Sequence, residues 1–347
     1  MSVDVKPVRS KSEWADFLEL PGLIYSRGEL SELLPPGVVN RKFSRRHNPF
    51  LEHMEWAAFS ARRADGGILG RIVASFDHLC PHEAWGFFGF FECVDDPEVA
   101  GALMGAARAW LLKRGKSRLL GPISLSVSDN LGCLAEGFGE PNPFYLPYNP
   151  AYYNKLFINS GLAGFKDLYA YSWKSSAGLS SRLLRIGERL QRSAEISIRS
   201  LRYEQIQQEA AYFREIYNEA MGSNWGHVPL TNAEALHILA GHRRMIPPDY
   251  FLWAEAANKP VGLCMALPDF QARSMRVMLL AVRPDRSHLG LSALLITNLL
   301  RICRRDDINT GELSFVQEGN SVVNKLITND AGGVMSKRFR LYSRDLY

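Results

Sequence analysis

The chain has 347 residues, 46% of them hydrophobic, which is enough to bury a full core and to form two domains. No apolar run approaches the length of a membrane-spanning helix, and the opening Met1-Ser2-Val3-Asp4-Val5-Lys6 lacks the basic-then-apolar form of a signal peptide, so the expected location is the cytoplasm. Cys80, Cys93, Cys133, Cys264 and Cys303 are scattered, without a C-x-x-C pair or histidines at ligand spacing. Buried free thiols are expected from them, and no metal site. Basic and acidic residues number 18 and 19 in residues 1–172, and 23 and 17 in residues 173–347. The basic second half suits an anionic ligand such as a CoA phosphate, a nucleotide or RNA; a solvated surface is the plain alternative.

In chain order, Ser12-Glu13-Trp14 begins a short amphipathic helix capped by Ser10 or Ser12. From His53 the pattern turns to strands, with a hairpin at Ala64-Asp65-Gly66-Gly67 and an aromatic strand from Trp85 to Val94. Asp95-Asp96-Pro97-Glu98 reads as the cap of a helix running from about Val99 to Arg114, and Leu119–Ile123 as the next strand. Tyr152–Phe157 and Asp167–Tyr171 close this first domain, with a boundary at residue 173. Residues 174–196 form an amphipathic linker helix with a basic face, Arg182, Arg185, Arg189 and Arg192. The second domain, residues 197–347, repeats the order: helix, the loop Gly222-Ser223-Asn224-Trp225-Gly226-His227, and a hairpin turning at Asn258-Lys259. The stretch Ser274–Arg305 follows.

That stretch organises the chain. Met275–Val282 reads as a strand, Arg283-Pro284-Asp285 as a break, and Leu291–Arg305 as a helix behind a turn holding Gly290. Strand, glycine-bearing turn and helix point free backbone N–H groups at an anion, although a single glycine also suits an ordinary turn. Leu280-Ala281-Val282-Arg283-Pro284-Asp285 followed by Ser287-His288-Leu289-Gly290-Leu291-Ser292 resembles the coenzyme A pyrophosphate loop of the GCN5-related N-acetyltransferase (GNAT) superfamily. It is a degenerate copy: the middle glycine remains, while the leading Arg/Gln is Ser287 and the last glycine is Ser292. In the first domain Asp95-Asp96 occupies the corresponding place, where two carboxylates would repel a pyrophosphate.

Five further stretches, in order, resemble the YghO-like bacterial tandem-GNAT acyltransferases: Asn48-Pro49-Phe50 to His53, Gly89-Phe90-Phe91-Glu92 to Asp96, Pro147-Tyr148-Asn149-Pro150 to Tyr153, Asn224-Trp225-Gly226 to Pro229, and Glu318-x-Asn320-x-x-x-Asn324. The resemblance covers nearly the whole chain. It implies an α+β fold of two tandem GNAT-like domains, each a mixed twisted sheet flanked by helices. It implies acyl transfer from acyl-CoA or another acyl thioester to an amine, long-chain amino lipids being acceptors of some members. No cofactor is permanently bound; the acyl donor is a co-substrate. The family usually inserts a long segment after the equivalent of Leu267-Pro268-Asp269, where this chain has only Phe270–Arg273, so a different acceptor is expected.

On this resemblance the donor-binding residues are Ala281, Val282, Ser287, His288, Leu289, Gly290, Leu291, Ser292, Asn320 and Asn324. Asn224, Trp225 and His227 line the acceptor site, and His227, which titrates near neutral pH, is the candidate catalytic group. Each has a plain alternative: Trp225 in the core, Asn320 as a helix cap. No base stands at the usual positions, since Arg276 replaces the strand carboxylate and Ile327 the helix tyrosine. Two rivals accompany this reading. One is aminoacyl transfer from aminoacyl-tRNA, favoured by the basic second half. The other is a catalytically inactive binding protein, which would tolerate a bulky residue at Gly290 where an enzyme would not. Partners are thus an amine acceptor, small-molecule or lipid, with tRNA as an alternative donor and no DNA.

Overall fold

The computed structural model describes residues 3–127, 129–142 and 146–347, without the side chains of Ser287, His288 and Leu289. The chain divides into two compact units, Met1–Leu168 with Lys337–Tyr347, and Tyr169–Ser336. The boundaries at 173 and 197 expected from sequence therefore differ from these units in two respects. Helix Ser181–Gln191 is an integral part of the second unit, and the C-terminal segment belongs to the first. There Tyr342 to Asp345 pair antiparallel with Gly121 to Arg118, and Lys337 Nζ donates to the carbonyls of Gly137 and Glu140. A strand formed by the last residues of the chain carries no sequence mark of the sheet it joins.

In the first unit the antiparallel strands Asp4–Pro7, Met54–Arg62, Ile68–Asp77 and Trp85–Cys93 lead to a parallel partner, Arg118–Gly121. Helix Pro97–Leu112 packs Val99, Leu103, Ala107 and Leu111 on Ile72, Phe88 and Leu119. Each such aliphatic or aromatic side chain contributes roughly 1.5–3 kcal/mol by leaving water. Asp96 caps the helix, its Oδ1 accepting from Glu98 N at 2.8 Å. His53 Nδ1 meets Asp77 Oδ1 at 2.7 Å.

The second unit repeats the plan. Ile196–Ser200, Phe251–Ala256, Lys259–Asp269 and Ser274–Val282 run antiparallel, and Thr310–Gln317 joins the last of them in parallel. Lys259–Asp269 is buried over nearly its whole length, because the sheet is covered on both faces. Helix Leu291–Arg305 buries nine of its residues, Leu291 through Cys303. A helix apolar on so many sides must be covered twice: one side meets the sheet, the other meets helix Ser181–Gln191, whose Gly187 lies against Thr297. Capping boxes at Ser10/Glu13, Ser26/Glu29 and Thr231/Glu234 fix helices Lys11–Glu19, Arg27–Leu30 and Asn232–His242. All five cysteines are buried and free. No helix among the described residues is long and apolar enough to cross a membrane.

Candidate active site

The organising strand and its parallel neighbour are paired only at their starts, from Ser274↔Thr310 to Val277↔Leu313, and then diverge. On the other edge of Ser274–Val282, Met265 pairs with Leu279 and Ala266 with Val277, so Met278 is an extra residue, a β-bulge. Bulge and divergence coincide. Between the parting strands lies a cavity of about 180 Å³. Its walls are Val277–Leu280 on one strand, Leu313–Gln317 on the other, Ile296, Leu299 and Leu300 from the loop helix, and Val323, Leu326 and Ile327 from the last helix. Met221, Met275 and Met278 also line it, and unbranched thioethers adapt to the shape of an apolar guest. An apolar cavity of about 150 Å³ accepts a benzene-sized group, so this one holds roughly six carbon atoms and a longer chain must project from it.

The loop beyond the strand is a tight turn, Pro284–Leu289, ending at Gly290 with φ 77° and ψ 23°. Gly290, at the N-cap of helix Leu291–Arg305, offers no side chain to cap it. Gly290 is required on two counts: its left-handed backbone, and a Cβ that would sit 2.5 Å from Ile186 Cγ2. A bulky residue at Gly290 therefore damages the seat of helix Ser181–Gln191, and it cannot separate an enzyme from an inactive scaffold. The basic side of that helix is exposed at Arg185, Arg189 and Arg192, while Arg182 pairs with Asp330.

Of the residues expected at the donor site, Ala281 and Leu291 are buried and Val282 and Ser292 half-buried around this turn. The side chains of Ser287, His288 and Leu289 lie outside the described residues. Asn320 lines the cavity but also caps the last helix, its Oδ1 accepting from Val323 N at 3.2 Å. Asn324 is fully engaged in the fold: Tyr171 Oη donates to it at 2.6 Å, and its Nδ2 donates to the carbonyls of Gln317 and Glu318. Asn224 faces the cavity, whereas Trp225 and His227 are not among its walls. His227 lies against the Tyr217 ring, 5.7 Å between centroids, and burial lowers its pKa below the ordinary histidine value. It is neutral at pH 7 but set back from the cavity.

Three polar residues that sequence reasoning did not combine meet where the strands part. Arg276 Nε donates to Ser314 Oγ at 3.0 Å, and Ser314 Oγ donates to Glu312 Oε1 at 2.7 Å. All three residues are at most 6% exposed. Burial pushes the Arg276 guanidinium down to about 10, against the opposing pull of Glu312. The available signal was an arginine in one apolar strand and a Glu-x-Ser in the next. Only the parallel register Arg276↔Glu312 joins them. At the site of the family's insertion, Asp269 pairs with Ser274 and its Oδ1 accepts from Gln271 N and Ala272 N, closing a tight hairpin.

Residues 210–328 match the model of the Acetyltransferase (GNAT) family. Protein YghO of Escherichia coli K12 is 28% identical over 378 residues, spanning 99% of this chain and 95% of its own length. A bacterial ceramide synthase of Caulobacter vibrioides is 26% identical over 380 residues, spanning 99% of this chain and 98% of its own length. A tandem GNAT protein from the clavulanic acid biosynthesis pathway superposes with a TM-score of 0.62 at 12% identity, covering 100% of this chain and 99% of that one. At that identity the likeness establishes the fold alone.

Proposed function

We propose that this chain, which carries a GNAT-family domain in a tandem GNAT fold, transfers an acyl group from an acyl thioester to the amine of a small-molecule or lipid acceptor. The GNAT domain match and a relative named as a ceramide synthase support N-acyl transfer in general terms; the thioester donor and the acceptor are our reading. The observation that carries it is the apolar cavity between the diverging strands, bounded by the Met278 bulge. A thioester lying along Ser274–Val282 would place its carbonyl at the bulge, where backbone N–H groups no longer tied into a regular ladder can meet the developing oxyanion. Its acyl chain would enter the cavity, and its phosphates would meet the uncapped start of helix Leu291–Arg305.

An alkyl chain suits walls dominated by Leu, Ile, Val and Met, whereas the α-amino group of an aminoacyl residue would leave water for a mainly apolar surface. The cavity therefore favours an acyl-CoA or related thioester over aminoacyl-tRNA. A relative named as a ceramide synthase supports a long-chain amine as acceptor, while the closed hairpin at Asp269–Ser274 favours a smaller one. The test is to incubate the purified protein with acetyl-, octanoyl- or palmitoyl-CoA and with ethanolamine, dodecylamine or sphinganine. Products are read by mass spectrometry. Amide formation that rises from acetyl to octanoyl and gains little more at palmitoyl supports the reading. No amide with any pair, together with no binding of the thioesters by calorimetry, overturns it.

A further inference from the structure

The acyl transfer proposed above needs a proton acceptor, and none stands at the family's usual strand and helix positions, held here by Arg276 and Ile327. We infer that Ser314 and Glu312 supply it as a relay: Ser314 Oγ takes a proton from the incoming ammonium while passing its own to Glu312. This rests on the acyltransferase reading.

Position is the first argument. Val277↔Leu313 is the last parallel pair, so Ser314 is the next residue, at the crotch of the fork and on the cavity wall. Met278, the bulged residue, is its counterpart on the other arm.

Hydrogen-bond direction is the second. An arginine Nε can only donate, so Ser314 Oγ accepts from Arg276. The Ser314 hydroxyl proton must then point to Glu312, which can only accept when ionised. A hydroxyl has one donor and two acceptor lone pairs, so one lone pair of Ser314 is left for a group in the cavity. Structure alone asks only for Arg276 beside Glu312; it does not ask for a hydroxyl that bridges the pair and also forms part of the cavity wall.

The chemistry balances. An ammonium acceptor gives one proton to Ser314 Oγ as the serine proton moves to Glu312. The freed nitrogen lone pair attacks the thioester carbonyl, forming C–N, and C–S breaks. The leaving thiolate takes the second nitrogen proton, and Glu312 later returns its proton to solvent. Arg276 acts as a positioning residue, fixing the direction of the serine hydroxyl. His227, not among the cavity walls, plays no part in this step.

The test is the pH dependence of kcat with octanoyl-CoA and dodecylamine for the native protein, Ser314→Ala, Ser314→Thr and Glu312→Gln, with thioester affinity measured separately by calorimetry. General-base catalysis is worth about 10²–10⁴-fold, so Ser314→Ala and Glu312→Gln should lower kcat by that factor at neutral pH. The deficit should shrink as pH rises and the amine arrives neutral, while thioester affinity stays unchanged. Ser314→Thr, which keeps the hydroxyl, should recover most of the rate. If Glu312→Gln fails to fold, the Ala and Thr variants at position 314 decide, because both keep the charged pair. A Ser314→Ala variant with native kcat, or a deficit equal at every pH, overturns the relay. A native protein that forms no amide overturns the acyltransferase reading and the relay with it.

Discussion

The two units build the same fork and finish it in opposite ways. In the second, parallel pairing stops at Val277↔Leu313 and the space beyond is a cavity. In the first, pairing of Trp85–Cys93 with Arg118–Gly121 stops at Phe87↔Leu120, and the short strand Ile123–Ser124 packs into the gap. It comes so close that a Cβ on Gly89 would sit 2.1 Å from the Ile123 carbonyl oxygen. The helix starts differ in the same sense. Gly290 leaves the start of Leu291–Arg305 without a side-chain cap, whereas Asp96 places a carboxylate on the first N–H groups of Pro97–Leu112. A helix start with a carboxylate in place and one without it thus stand on the same plan, and an aspartate or a glycine decides which.

The largest expected effect comes from filling the open fork. Leu280→Trp puts an indole into the cavity and should cut amide formation at least about a hundredfold, since a misplaced acyl carbon alone costs that much. The melting temperature should change little, because the added ring occupies existing space. Next comes the loop glycine: Gly290→Val combines backbone strain of about 1–3 kcal/mol with a clash on Ile186. Chemical denaturation should show both losses, and adding Ile186→Ala should recover the clash but not the strain. In the closed fork, Gly89→Ala should cost about 1–3 kcal/mol of stability by overpacking. Thioester affinity should stay at the native value; a fall would mean that the first unit also binds the donor.

Much of this comparison is legible in the sequence. The strand and helix around Gly290, the hairpins at Asp65-Gly66 and Asn258, and the carboxylates at Asp95-Asp96 follow from local patterns, because period, turn residues and caps act over a few positions. What escapes is whatever depends on register between distant strands. That the Ser314 hydroxyl lies between Arg276 and Glu312 depends on parallel pairing across more than thirty residues of intervening chain. That Ile123 fills one fork while the other stays open depends on a backbone approach no composition reveals. Asn324 is expected at the donor site on the family resemblance, yet Tyr171 and two carbonyls use both ends of its amide.

The cap offers a smaller test of the same contrast. Asp96→Ala removes the acceptor for Glu98 N and Val99 N and should cost about 1 kcal/mol. It should not create a second thioester site, because Ile123 still fills that fork; calorimetric stoichiometry checks this directly.

The finest test separates His227 from the relay. Burial depresses its pKa from 6.5 in the folded protein, so the unfolded chain binds the proton more readily. The stability this contributes is fully present above pH 6.5 and is lost as pH falls through that value toward the folded pKa. His227→Gln should therefore flatten the fall in stability on the acid side while leaving the neutral-pH melting temperature nearly unchanged. If His227 were the base, kcat would follow an ionisation below 6.5 and disappear in the glutamine variant. If Ser314 and Glu312 carry the proton, the variant keeps its rate above pH 6.5, and the pH profile follows the acceptor amine instead. A histidine resting on Tyr217, away from the cavity, titrates with the fold rather than with the reaction.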